Sequence, residues 1–243
     1  MDALRAGMQA VGRNPQTVAA YIAVSIMAAY LTGGLDALFL TGPLEDAPDR
    51  VKGLAQVIKL IGAAALYAAM NAIVFSILGA DIDRPLWRYH GWPDALRRFF
   101  TPWFLLALTY VVLFRFIPLL GIDHPVSQLF LMLSCIVFTA HLPVGVAVMQ
   151  QGRFEWRYLV DAVTPLLIQL PRMAIPLFMA LFLFFFGFFS GENTRPGTDG
   201  SWQWLWGAAL FEVVSGLFMC TIVCTTWCTL ILHRDEADDD FDL

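Results

Sequence analysis

Long apolar blocks separated by short polar segments dominate this chain. A helix needs about 20 residues to cross the roughly 30 Å hydrocarbon core of a bilayer, and six blocks are long enough. They run from Pro15 to Leu40, Gly53 to Gly79, Phe99 to Leu120, Val126 to Met149, Pro171 to Phe189 and Trp204 to Leu232. None alternates apolar and polar residues as a barrel strand does. Because a helix satisfies its backbone hydrogen bonds internally, the pattern predicts an all-α, polytopic membrane protein with six transmembrane helices.

The composition agrees with this prediction. Of the 243 residues, 58% are hydrophobic and 14% are charged, and the mean hydropathy is +0.66. Soluble domains contain about 25% charged residues. We therefore expect a single six-helix membrane domain over residues 1–234 and an acidic, disordered cytoplasmic tail over residues 235–243.

The distribution of basic residues predicts an orientation. If the blocks alternate across the membrane, one side receives Arg5, Arg13, Arg84, Arg88, Arg97, Arg98, Arg153, Arg157, Arg172 and Arg234, and the other side receives Arg50, Lys52 and Arg195. Because arginine-rich short loops stay in the cytoplasm, we expect a bacterial inner-membrane protein with both termini on the cytoplasmic side. No basic patch suits nucleic acid, so membrane lipids and other membrane proteins are the expected partners.

Tryptophans near the block ends support these boundaries. They are Trp87, Trp92, Trp103, Trp156, Trp202, Trp204 and Trp206. Amphipathic indole rings prefer the headgroup region, where we expect these side chains to lie.

A short pattern recurs before three of the blocks and predicts three related helical hairpins. Asp2–Arg5 precedes Pro15, Asp94–Arg98 precedes Pro102 and Asp161–Val163 precedes Pro171. Each segment mixes apolar with charged or polar residues, and a proline then opens the apolar run, where its missing N–H costs nothing. We expect a short amphipathic interfacial helix and a turn before each hairpin.

Two stretches carry a family resemblance. "AGMQAVGRNP" and "HLPVGVAVMQQGRFEWRYLVDA" resemble uncharacterised bacterial integral membrane families of six helices, which open with a G-W-x-L-F-x-x-N-P-like sequence. Gly7, Arg13, Asn14 and Pro15 match that opening, whereas Met8 stands where the aromatic residue usually lies. The resemblance implies the fold and the bacterial membrane, and it implies no chemistry.

Four ionisable residues inside the blocks are candidates for a polar site. Asp36, Lys59, Arg115 and Glu212 all fall in the periplasmic half of the predicted bundle. An ionised side chain near the bilayer centre costs at least about 2.5 kcal/mol, so each needs a partner or a function. They form either a ligand-binding cavity, with Arg115 and Lys59 facing an anion and Glu212 as counter-ion, or an ion-pair network that fixes helix register. Arg115 is the expected partner of Glu212.

One histidine also lies inside a block. His141 precedes Pro143 by two residues, and a proline leaves the carbonyl four residues before it without its helical donor. We expect the imidazole to donate a hydrogen bond to such a carbonyl.

Cys220, Cys224 and Cys228 recur at four-residue spacing, and Gly216 extends the same helical face. Small residues at this spacing are typical of close helix packing in membranes, and buried cysteine acts as a small apolar residue. Zinc would require a second pair of ligands at suitable spacing, which the sequence lacks. A soft metal such as copper(I) on these cysteines stays an alternative, with Met219 or Cys135 as a further ligand. We interpret the row as a packing stripe and expect no cofactor.

The sequence favours a protein that is not an enzyme. It contains no P-loop, H-E-x-x-H, G-x-S-x-G or dinucleotide fingerprint. The leading hypothesis is an accessory or scaffold subunit that acts by helix contacts within a larger membrane complex or with itself. The alternative is a small transporter or lipid-handling protein whose periplasm-facing site contains Arg115, Lys59 and Glu212.

Overall fold

The computed structural model describes residues 2–40, 42–83, 88–120, 125–152, 163–164, 166–190 and 202–239. Within these residues, all the regular structure is helical. The helices are α1 (Asp2–Arg13), α2 (Pro15–Leu40), α3 (Asp49–Ile82), α4 (Trp92–Leu120), α5 (Pro125–Gln150), α6 (Leu170–Ser190) and α7 (Trp204–Asp239).

Five of these helices are long and apolar enough to cross a membrane, as expected for a multi-pass membrane protein. They are α2, α3, α5, α6 and α7. The remaining predicted block, Phe99 to Leu120, lies in α4. The structure does not describe the side chains of residues 111 and 114–120 of this helix. Each predicted block falls within one helix.

The predicted interfacial helices differ from one another in the structure. The first forms as α1, and Asn14 separates it from α2. The prediction of a turn before Pro102 is wrong, because Asp94–Arg98 is part of the continuous helix α4. The Arg98 guanidinium bonds the Asp94 carboxylate at 2.9 Å, and this i,i+4 pair supports the helix just before the proline. Of the third segment, residues 161 and 162 lie outside the described residues, and Gln169 lies in a turn before α6.

Helix α7 is the common neighbour in the bundle. It packs against α1, α2, α3, α5 and α6, while α4 lies between α3 and α5. At one end, Arg13 forms an ion pair with Asp81 at 2.9 Å, and Trp227 Nε1 lies 3.5 Å from Asp83 Oδ2. We call this the Arg13 end. At the opposite end, the Tyr30 hydroxyl donates to the Leu205 carbonyl at 3.0 Å, and we call this the Asp36 end.

Three indole rings lie directly on glycines of a neighbouring helix. A Cβ atom on Gly79 would lie 2.2 Å from Cη2 of Trp227, and one on Gly145 would lie 2.2 Å from Cη2 of Trp103. At the Asp36 end, a Cβ on Gly33 would lie 2.5 Å from Cζ3 of Trp204. These positions accept only glycine without rearrangement, so the glycines set the distances between helices.

The same contacts correct the expectation that the tryptophans lie among lipid headgroups. Trp103 is fully buried in the bundle and Trp204 is 6% exposed, because each ring packs on a glycine. Trp92, Trp202 and Trp206 are exposed, as headgroup contact requires. Trp87 and Trp156 lie outside the described residues.

We predict that Gly79→Ala destabilises the bundle. The added methyl group has no space beside the buried Trp227 ring, and overpacking of this kind costs about 1–3 kcal/mol. Gly62→Ala in the same helix is the matched control, because nothing lies within 4 Å of its Cβ position. Thermal unfolding of both variants in one detergent measures the difference. Equal midpoints for the two variants would contradict this account of the packing.

Candidate functional site

A cavity of about 470 Å³ lies inside the bundle between α2, α3, α4, α5 and α7. Small side chains from four of these helices line it: Ala28, Ala29, Gly33, Ala63, Ala64, Ala107 and Ala208. Because none of these side chains reaches the middle, space remains between the helices. The volume falls in the range of about 300–1,000 Å³ that small-molecule sites occupy.

An ion pair lies at the Asp36 end of this cavity. The Lys59 ammonium contacts the Asp36 carboxylate, and the Gln56 amide donates to the same carboxylate oxygen at 3.1 Å. The side chains of Lys59 and Asp36 are 18% and 27% exposed. Since the two charges neutralise each other, the pair adds polarity here without net charge.

The deeper part contains a second polar group built around His141. The Tyr67 hydroxyl lies 2.9 Å from His141 Nε2, while His141 Nδ1 contacts the Phe138 carbonyl. With Nδ1–H donating to that carbonyl, Nε2 of a neutral imidazole accepts from the tyrosine. The sequence led us to expect the carbonyl that Pro143 leaves without a donor, which is that of Thr139, four residues before it. The acceptor is instead the Phe138 carbonyl.

Next to this group, a buried tyrosine links three helices. The Tyr21 hydroxyl lies 3.2 Å from Asn71 Oδ1 and 3.1 Å from the sulfur of Met219. Asn71 is fully buried, and its Nδ2 atom has no acceptor among the described residues. Tyr67 and Asn71 stand four residues apart on α3, so both face α7 and its Met219.

Glu212 contributes the remaining acidic group of the lining. Ser215 Oγ donates to the backbone carbonyl of Glu212 at 3.4 Å. No described side chain forms an ion pair with the Glu212 carboxylate. Four aromatic rings line the same cavity: Tyr67, Tyr110, Phe138 and Phe211. With Asp36 and Lys59 neutralising each other, the described lining carries one formal negative charge, that of Glu212.

The structure thus brings three of the four sequence candidates, Asp36, Lys59 and Glu212, to one cavity. The side chain of Arg115 lies outside the described residues, so its pairing with Glu212 stays a prediction. Sequence reasoning missed Tyr21, Tyr67 and Asn71. The spacing of a tyrosine and an asparagine by four residues within an apolar run was the signal available.

The cysteine row lies apart from the cavity. Cys220, Cys224 and Cys228 are buried, and a Cβ on Gly216 would lie 2.8 Å from the Ile22 side chain of α2. Across the described part of the chain, no three histidine, cysteine or acidic side chains are grouped as metal ligands. The position suits helix packing, and the packing function of the cysteine row stays a prediction.

No protein family, curated protein or solved structure matches this chain. The chemistry of the cavity is therefore the basis on which its function is inferred.

Proposed function

We propose that the chain is a bacterial inner-membrane protein of six spans, arranged as three hairpins, with both termini in the cytoplasm. The distribution of charge in the bundle supports this topology. Arg13 lies at the Arg13 end, as do Arg97 and Arg98 at the start of α4, whereas Arg50 and Lys52 lie at the start of α3, near the Asp36 end. Positively charged segments remain on the cytoplasmic side, so the Arg13 end faces the cytoplasm and the Asp36 end faces the periplasm.

We further propose that the protein is a non-enzymatic transporter or lipid-handling protein that binds a lipophilic cation in its cavity. The observation that carries this proposal is the carboxylate of Glu212 in a lining of aromatic rings and alanines. The faces of aromatic rings attract cations, and quaternary ammonium groups are recognised by such rings in many sites. A molecule with an apolar body and an ammonium group matches both parts of the lining.

The lining of the cavity suits an occupant that is both apolar and cationic. Alanines and aromatic rings gain dispersion contacts with an apolar body. A positive charge beside the Glu212 carboxylate offsets the cost of holding that carboxylate among helices. An apolar neutral molecule would provide only the dispersion contacts.

The Asp36–Lys59 pair fits the periplasmic mouth of such a site. From Lys59 to Tyr67 the helix rises about 12 Å, so the pair and the deep polar group lie at different depths of the same cavity. A ligand that enters from the periplasm passes a neutral polar pair before it reaches Glu212.

A second candidate function is that of an accessory or scaffold subunit, and the surface of α6 favours it. Four phenylalanines project from this helix: Phe178, Phe182, Phe185 and Phe189 are 69%, 49%, 44% and 76% exposed. Phe182 stacks on Phe186 and Phe185 stacks on Phe189 along the helix. Stacked rings form a stiff apolar surface that suits contact with a helix of another subunit or a second copy.

We predict that the purified protein binds tetraphenylphosphonium more tightly than tetraphenylborate. These ions have the same shape and opposite charge, so the comparison shows which sign of charge the site prefers. Glu212→Gln is expected to weaken tetraphenylphosphonium binding about tenfold or more, because the charge that attracts the cation is lost. Equilibrium dialysis in a non-ionic detergent measures both affinities.

Glu45→Gln is the control for this experiment, since Glu45 lies in the segment between α2 and α3, outside the cavity. Its affinity should equal that of the unaltered protein. Preference for tetraphenylborate would instead support an anionic ligand facing Lys59 and Arg115. Equal binding of the cation by Glu212→Gln and the unaltered protein would refute the role of Glu212.

The proposed topology predicts the location of both chain ends. Fluorescent protein fused to either terminus should be fluorescent in cells, and alkaline phosphatase fused there should be inactive, because both fusions remain in the cytoplasm. A phosphatase fusion within residues 42–47, in the segment before α3, is the periplasmic control and should be active. Active phosphatase at one terminus alone would require an odd number of spans.

The second candidate predicts a stoichiometric companion. Purification in a mild detergent should then yield a complex with another membrane polypeptide or a homo-oligomer, and Phe182→Ala combined with Phe189→Ala should release it. Replacement of Leu54 and Ile58, which are exposed on α3, is the matched apolar control. A monomer without any companion would argue against the subunit function.

A further inference from the structure

A second pocket, of about 260 Å³, lies at the Arg13 end of the bundle. It is bounded by the segment before α4, the first turns of α4, the end of α5 and Ser76 of α3. Its polar lining consists of Ser76, Arg88, Tyr89, His90, Asp94, Arg98, Gln150 and Gln151. None of these residues lines the cavity described above, so the two sites are separate.

The described part of the lining is rich in hydrogen-bond donors and carries net positive charge. Arg88 and Arg98 contribute two guanidinium groups, and Asp94 contributes a single carboxylate. Arg98 bonds Asp94 through Nε at 2.9 Å, which leaves its two terminal nitrogens for another acceptor. Among the described residues, Arg88 forms no ion pair. Guanidinium groups bind phosphate in a bidentate geometry, so this lining favours a phosphate group over an uncharged group.

Two turns give the pocket its shape. Gly91 has φ +108° and Gly152 has φ +76°, values at which other residues are strained. Gly91 directs the segment with Arg88 and His90 against the start of α4, and Gly152 ends α5 beside it. The first backbone bond of α4 runs from Ala95 N–H to the Gly91 carbonyl, so the positive end of the helix dipole lies at the same place.

We infer that this pocket binds a phosphate group. In the proposed six-span topology, on which this step rests, the end of α3, the start of α4 and the end of α5 lie where the bundle leaves the hydrocarbon, which is the depth of lipid phosphates. The group therefore comes either from the headgroup of an anionic lipid or from a soluble phosphate. The chemistry of the pocket suits both sources, and an experiment with two arms separates them.

In the lipid arm, the full-length protein in a phosphate-free maltoside detergent is titrated with phosphatidic acid and with diacylglycerol of the same acyl chains. These lipids differ only in the phosphate, and native mass spectrometry counts the bound molecules. We expect phosphatidic acid to bind at least about tenfold more tightly. In the soluble arm, inorganic phosphate is titrated at constant ionic strength, and equilibrium dialysis measures its binding.

Arg88→Gln is the test variant and Arg97→Gln is the control. Both residues are exposed, but only Arg88 lines the pocket. Arg88→Gln should weaken binding of the phosphate-bearing probe about tenfold, and Arg97→Gln should leave it unchanged. Binding in the lipid arm alone identifies a headgroup site, and binding of inorganic phosphate alone identifies a soluble ligand. Equal affinity for the two lipids without binding of inorganic phosphate, or equal loss in the two variants, would overturn the inference.

Discussion

Close contact between helices is the constraint on which this bundle depends. In hydrocarbon, helices gain nothing by hiding apolar side chains from water, so dispersion contacts and buried polar bonds must hold them together. Helix α7 obtains such contacts on several faces: Gly216 touches Ile22 of α2, Thr225 touches Gly7 of α1, and Trp227 lies on Gly79 of α3. A large ring on a glycine gives more contact than two medium side chains, because the ring reaches the opposing backbone. The positions of the other helices follow from these few close approaches.

The cavity is a consequence of the same packing. At the Arg13 end, Trp103 and Trp227 fill the spaces over Gly145 and Gly79, and at the Asp36 end Trp204 fills the space over Gly33. Between these levels, alanines of α2, α3, α4 and α7 line the cavity, and no described indole ring lies among them. The helices are held apart by their contacts at both ends and cannot close on the alanines. Small residues thus produce close packing where a large ring opposes them and an open space where they oppose each other.

Much of this fold could be predicted from the sequence, because a spanning helix is specified by the length of its own apolar run. Ionisable residues inside such runs are conspicuous for the same reason, and Asp36, Lys59 and Glu212 do lie on one cavity. The pairing of Lys59 with Asp36 could not be read from the sequence, since it depends on which helices are neighbours. The same holds for Trp103, which resembles a headgroup residue until Gly145 is placed beside it. Pro102 marked a turn in the sequence pattern, but it lies ten residues after Trp92 inside α4, where it removes one backbone hydrogen bond and the helix continues through it.

The two ends of the cavity differ in what closes them, and under the proposed transport function this difference decides from which end a ligand can enter. Towards the Asp36 end, the lining finishes in the partly exposed pair of Asp36 and Lys59, whose side chains are flexible. Towards the Arg13 end, Phe75 and Trp103 pack edge to face with centroids 5.4 Å apart, and both are fully buried. Trp103 cannot shift toward Gly145, because it already lies against that backbone. The bundle as it stands is therefore open to rearrangement at the Asp36 end and blocked at the Arg13 end. Passage of a ligand through the whole bundle would require α4 and α5 to separate at their glycine contact, whereas exchange with the Asp36 end requires only that two side chains part.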